Sequence, residues 1–180
     1  MSLTREPLIQ RLLDQYTAYY DITRIQDDSP LQATCFFHSR NEKYVLTKRA
    51  QLWAAENHEY LYLFSLSELN EDTYAHCRDT ALSMGMEQIH PHPEHMYSYI
   101  TAVILCDRSD PDTLAALQRF KKSQSFKLSL HGWMEFRIAA VDLSTAEVFT
   151  NRKGKDLQKF LRKVIELETK RNSGEEKKSV

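Results

Sequence analysis

Three imidazoles and a carboxylate fall within six residues at His90-Pro91-His92-Pro93-Glu94-His95. Imidazole nitrogen and carboxylate oxygen are the donors that zinc and related divalent ions take from proteins, and the two prolines stiffen the backbone that presents them. The spacing is not that of H-E-x-x-H, in which two imidazoles four residues apart share one helix face. In an extended segment, alternation instead sends His90 and His92 to one side and His95 to the other. A divalent ion bound here is therefore expected to use two or more of His92, Glu94 and His95 together with a group from elsewhere in the fold. The competing reading is a proline-stiffened surface loop with ordinary exposed histidines. No cofactor other than such a metal is expected.

Other polar groups have simpler explanations. Arg40-Asn41-Glu42, with His38 before and Lys48 after, could supply a catalytic acid, but turn chemistry accounts for Asn41 and Glu42. Asp142 ends an apolar stretch, where a carboxylate is costly without a partner such as Arg137 or a metal. No Glu-x-Lys follows at a strand end, as a metal-dependent nuclease would need. Arg119, Lys121, Lys122 and Lys127 interleave with Phe120 and Phe126, and Arg152, Lys153 and Lys155 follow. Such a series could track phosphates with aromatic stacking, although Phe120 is expected to face the core. G-x-x-x-x-G-K-[ST], G-x-G-x-x-G and G-x-S-x-G are all missing, and 4 glycines in the chain leave little material for a backbone phosphate cradle.

Composition bounds these options. At 180 residues, 42% hydrophobic and 27% charged, the chain is long enough for one domain with its own core and excludes collagen-like and wholly disordered classes. Residues 1–118 carry 9 basic against 17 acidic groups and residues 119–180 carry 15 against 8, so a basic face is offset by an acidic one. That balance points away from a dedicated nucleic-acid binder. Cys35, Cys77 and Cys106 have no C-x-x-C spacing and are expected to be reduced. The N-terminus has no apolar leader and no run approaches a membrane span, so a cytoplasmic location with no membrane partner is expected.

The elements that position these groups follow from periodicity. Leu8, Ile9, Leu12, Leu13 and Tyr16 predict a helix over 5–20, and residues 21–30 read as a connection or short edge strand. Alternation from Leu31 to Phe37 predicts a strand broken by a turn at Ser39–Glu42, and Asn57-His58 is expected to turn a hairpin that leads into Tyr60–Phe64. Asn70 caps a helix over 68–84 that stops at Gly85, Tyr97–Cys106 is a strand covered on both faces, and Asp110-Pro111 opens a helix over 111–122. That helix and the strand Phe136–Leu143 suggest one crossover unit, and Ser144-Thr145-Ala146 turns into Glu147–Thr150. Leu157, Phe160, Leu161, Val164 and Ile165 define a last helix over 155–169.

Phe37-His38-Ser39-Arg40-Asn41-Glu42-Lys43-Tyr44-Val45-Leu46-Thr47-Lys48, Pro91-His92-Pro93-Glu94-His95-Met96-Tyr97-Ser98-Tyr99, and Gly132-Trp133 followed by Val141-Asp142-Leu143-Ser144-Thr145 together resemble a bacterial single-domain family of uncharacterised function. The resemblance implies one domain and no activity, cofactor or catalytic residue. The expected architecture is α+β: one mixed, mostly antiparallel sheet of about five to six strands covered by about four helices, spanning 1–169, with 170–180 a disordered tail. The leading functional expectation is a non-catalytic binding or regulatory module. A divalent-metal-dependent hydrolase using the His90–His95 loop is the alternative, and a weak nucleic-acid binder through the basic C-terminal third comes second. Strands apolar on both faces also suggest a homodimer, because both sides of the sheet need cover.

Overall fold

The computed structural model describes the backbone of residues 3–45 and 50–176, and the side chains of these outside 41–54 and 172–176. A seven-stranded mixed sheet carries two helices on each face, an α+β architecture. Four of its strand pairings are antiparallel and two are parallel.

Helix α1, Arg5–Tyr16, buries Leu8, Ile9, Leu12, Leu13 and Tyr16. It ends earlier than the apolar pattern suggests because Tyr20 leaves the helical path to donate its hydroxyl to Glu59 at 2.7 Å, while Tyr19 is exposed. The acidic connection that follows supplies the edge strand β1, Asp21–Arg24.

The largest departure from the sequence reading is in β2, Leu31–Val45, and β3, Ala50–Leu69, which pair antiparallel through His38↔His58, Arg40↔Glu56 and on to Val45↔Ala50. Neither the turn at Ser39–Glu42 nor the hairpin at Asn57-His58 exists, because these two polar segments are each other's partners. Arginine opposite glutamate, and imidazole opposite imidazole, are favourable cross-strand pairs that hold polar residues in a strand as well as turn chemistry would in a loop. The pairing runs as far as Val45↔Ala50, and Lys48 lies outside the described residues, as do the side chains of Asn41 and Glu42.

Because β3 is one long strand, its successor β4, His95–Ser109, lies parallel to it, with helix α2, Glu71–Gln88, crossing between them. The expected crossover also forms: α3, Pro111–Arg119, carries the chain from β4 to the parallel strand β6, Trp133–Asp142. There are thus two crossovers rather than one. Both helices pack on the same face of the sheet, as successive crossovers of one hand moving in one direction require. Asn70 and Asp110 cap them as expected, each accepting the backbone N–H three residues on. Gly85 does not stop α2. A β-carbon there would lie 2.7 Å from the Ile100 side chain, so the glycine lets helix and sheet approach closely, and the helix ends ahead of His90-Pro91.

Strand β5, Ser123–Ser125, and β7, Glu147–Thr150, pair with the two ends of β6, and Ala146 takes the left-handed conformation in the turn before β7. Helix α4, Lys155–Glu176, continues past 169 and into the segment expected to be a tail. It shares one sheet face with α1, over Leu61, Leu63, Val103, Leu105 and Val141. The opposite face, under α2 and α3, holds Tyr62, Phe64, Ile100, Ile104 and Phe136. Cys35, Cys77 and Cys106 are buried and unpaired, and burial pushes each thiol up to about 12, leaving them unreactive core residues. Among the described residues no helix is long and apolar enough to cross a membrane.

Candidate metal centre

Successive side chains of a strand point to opposite faces, so β3 presents Glu56 and His58 to the α2/α3 face and Asn57 and Glu59 to the α1/α4 face. The antiparallel register sets His38 beside His58 and Arg40 beside Glu56. Beyond the end of α2 the proline-stiffened segment 90–94 meets these groups, His92 at Glu56 and Glu94 at Arg40. Its last carbonyl, from Glu94, accepts the Glu56 N–H at 2.8 Å, which fixes the loop to β3.

His38, Glu56 and His58 each offer one ligand atom, and these atoms lie within 4.8 Å of one another. The Nδ1 atoms of His38 and His58 are 3.1 Å apart. His92 Nε2 lies 3.1 Å from Glu56 Oε2, and His58 Nε2 lies 3.7 Å from that same oxygen. Arg40 binds Glu56 and also Glu94, the latter at 2.8 Å. Burial would raise the Glu56 carboxyl, but the Arg40 hydrogen bond and the charges of His92, Arg40 and His38 outweigh it and hold the group below its ordinary value. His58 is held below the usual imidazole value by burial first, then by His38 and His95, against the opposing pull of Glu56. The cluster thus keeps a carboxylate ionised and an imidazole neutral, the protonation states in which both bind metals.

Of the loop residues singled out in the sequence, His92 reaches the cluster directly. Glu94 faces Arg40. His95 is buried, with Nδ1 2.7 Å from the His131 carbonyl and Nε2 2.8 Å from Ser98 Oγ. A carbonyl only accepts, so Nδ1 carries the proton. Both ring nitrogens are thus engaged, and the ring stacks at 6.0 Å on His58, which it helps to orient. The His131 carbonyl is brought in by Gly132, whose φ of 76° and whose place 2.3 Å (from a notional β-carbon) to the Met96 carbonyl admit only glycine. His90 stays outside, bonded to the Gln88 carbonyl. Sequence reasoning singled out neither Glu56 nor His58, and did not read His38 as a metal donor. The spacing of two between Glu56 and His58 is the strand signature of a shared face, hidden here by the expectation of a turn.

The other polar candidates resolve differently. Asp142 accepts from the Ser109 hydroxyl and from the Ser144 N–H and hydroxyl, which makes it a capped turn residue, while Arg137 pairs with Glu59. Lys121, Lys122, Arg152 and Lys153 line a shallow cleft of about 380 Å³ with Phe120. The Phe120 ring meets Phe136 edge-on at 5.6 Å with Arg78 over it, Phe126 packs edge-on against His95, and Lys153 pairs with Glu135, so the rings and one of the cations are already occupied.

The depressed His58 value has a consequence for the metal-free protein. As pH falls below about 6.5 the unfolded chain takes up this proton first, so stability declines from there toward the lower folded value and then levels off. Urea midpoints measured at about pH 7.5 and about pH 5.5 are expected to differ more for the parent protein than for His58→Gln. Equal differences would show that the imidazole is not held neutral by the fold.

Comparison of the chain with curated proteins finds no match, and comparison with solved structures finds none either. One family model does match, over residues 4–163, and covers every strand, α1 to α3 and the first part of α4. The chain therefore belongs to the family described as Domain of unknown function (DUF8052).

Proposed function

We propose that this protein is a binding module whose histidine-rich pole takes one divalent transition-metal ion of the zinc class, through His38, Glu56, His58 and His92. The observation that carries the reading is the 3.1 Å approach of the His38 and His58 Nδ1 atoms. Ligands about 2.0–2.1 Å from a tetrahedral zinc lie roughly 3.3 Å apart, so these imidazoles already stand at ligand spacing and share at most one proton between them. The remaining donors close by side-chain rotation, since all sit on or directly above paired strands. Arg40 then remains with Glu94, which keeps the rim neutral. Three imidazoles and one carboxylate suit zinc better than calcium or magnesium, which prefer all-oxygen shells. Among the described side chains the two carboxylates at the pole are both engaged, Glu56 by Arg40 and His92 and Glu94 by Arg40, which supports binding rather than hydrolysis.

Untagged protein loaded with zinc and desalted is expected to retain about one equivalent, displaced by a chromophoric chelator in a single step. Retention below roughly a tenth of an equivalent, or equal uptake by the His38→Ala/His58→Ala double variant, overturns the proposal.

A further inference from the structure

The sheet edge formed by β5 ends in a loop, residues 126–132, that leads into β6. In it Leu128 is 93% exposed and Leu130 75%. At the same end of the sheet Met96 and Trp133 are exposed as well, and the Trp133 ring lies 5.9 Å from that of Tyr97. Four of the six large hydrophobic side chains exposed among the described residues thus fall on one loop and the two strand starts beside it. Scattered singly they would be ordinary surface residues, but such a grouping marks a contact surface.

The loop has a fixed shape. Lys127, Leu128 and Ser129 have φ of 46°, 53° and 70°, three successive left-handed residues of which none is glycine. Such conformations are unfavourable and persist only where their surroundings hold them. Here the Phe126 N–H donates to the Gly132 carbonyl at 2.9 Å, the His131 N–H to Phe126 at 3.1 Å and the Leu130 N–H to Lys127 at 3.0 Å, while the Phe126 ring packs edge-on against His95. The flanking charge is one-sided. Between Asp112 and Glu135 the chain has Arg119, Lys121, Lys122 and Lys127 and no carboxylate, and Glu135 is paired with Lys153. Lys121 and Lys122 line the basic cleft with Arg152 at the far end of β5, whose three residues set it about 10 Å from the loop at 3.3 Å per residue.

We propose that this loop docks on the surface of an anionic phospholipid bilayer, with Leu128 and Leu130 entering the boundary between headgroups and acyl chains and the surrounding cations meeting the phosphates. The dimensions agree. A headgroup layer is about 5–8 Å thick, so with the leucines at the acyl boundary Lys127 lies among the headgroups and the basic cleft just outside them, within the Debye length of about 8 Å. Trp133, an apolar ring with one N–H, suits that interface. Charge decides against a second copy of the chain, since a two-fold contact through this loop would set its lysines against one another. The expectation of no membrane partner rests on the lack of a spanning run, which bears on crossing a bilayer and not on lying against one. The loop supplies none of the proposed metal ligands, so docking does not depend on metal.

Co-sedimentation of the full chain with vesicles tests this, with a chelator present so that metal plays no part. Vesicles of phosphatidylcholine containing about 30% phosphatidylglycerol are expected to bind at least about tenfold more tightly than phosphatidylcholine alone, with the difference shrinking as salt is added. Leu128→Ser/Leu130→Ser is expected to weaken binding at least about tenfold while leaving the melting temperature within about 2 °C of the parent, because both side chains stand in solvent. Lys121→Gln/Lys122→Gln gives an independent check: each cation near such a surface contributes about fivefold, and the pair should account for at least about tenfold of the preference for anionic lipid. The proposal is overturned by equal binding to the two vesicle types, by no sedimentation with either, or by a leucine variant that binds like the parent. It is equally overturned if light scattering finds the parent dimeric and the leucine variant monomeric, since a second copy then covers the loop.

Discussion

Glu59→Ala is expected to destabilise the protein by about 3–5 kcal/mol, measured as the loss in unfolding free energy from urea titration. Glu59 and Arg137 have only 12% and 15% of their side-chain surface exposed, so removing the carboxylate leaves the guanidinium without a counter-ion where water screens it poorly. The same deletion strips the acceptor from the Tyr20 and Thr101 hydroxyls. Both penalties arise from orphaned groups rather than from the intrinsic worth of the pair, and that gives a second, opposite expectation. Replacing both charges with apolar residues of similar length, as in Glu59→Leu/Arg137→Met, should recover the part of the loss that comes from the unpaired guanidinium, because a buried pair about offsets its own desolvation. A single-variant loss below about 1 kcal/mol, the value of exposed ion pairs, would show that solvent reaches this pair freely.

How far the chain discloses its fold depends on what each segment's neighbours are. Helix α4 and strand β4 could be read because their burial follows a period set by one surface: Leu157, Leu161 and Val164 repeat along one stripe, and Ile100 to Cys106 are buried on both sides. The caps at Asn70 and Asp110 were equally legible, since their bonds reach only three residues ahead. The stretch from His38 to Glu42 could not be read in that way. Its residues have partners 12 to 20 residues away on β3, and without the register they are indistinguishable from turn residues. A single wrong reversal at Asn57-His58 also concealed the parallel pairing of β3 with β4, and with it the second crossover. The candidate site was half visible for the same reason. His92 is flagged by its neighbours in sequence, whereas Glu56 lies 36 residues away and meets it only because the loop folds back on β3. The ion pair of Glu59 with Arg137 spans 78 residues and leaves no local signal at all.

Single substitutions at the histidine pole should separate the residues that bind zinc from those that support them. His38→Ala and His58→Ala are each expected to weaken zinc binding by more than about 100-fold, beyond the 10–100-fold that losing an outer-shell partner costs. His95→Gln falls inside that lower range, because both ring nitrogens of His95 are spent on His131 and Ser98 and its contribution is to stack on His58. His90→Ala should leave affinity unchanged, its ring being tied to the Gln88 carbonyl on the exposed side of the loop. Competition titrations against a chromophoric chelator at fixed pH read all four values, and pH must be fixed because binding displaces any proton the imidazoles share. The pattern discriminates between two arrangements of the same sequence. If the 90–95 loop alone held the ion, Glu94→Gln and His95→Gln would be the crippling changes and His38→Ala would be silent. If β2 and β3 supply the ligands, the order reverses, since Glu94 is then only a partner of Arg40 and the ion rests on side chains that the antiparallel register places face to face.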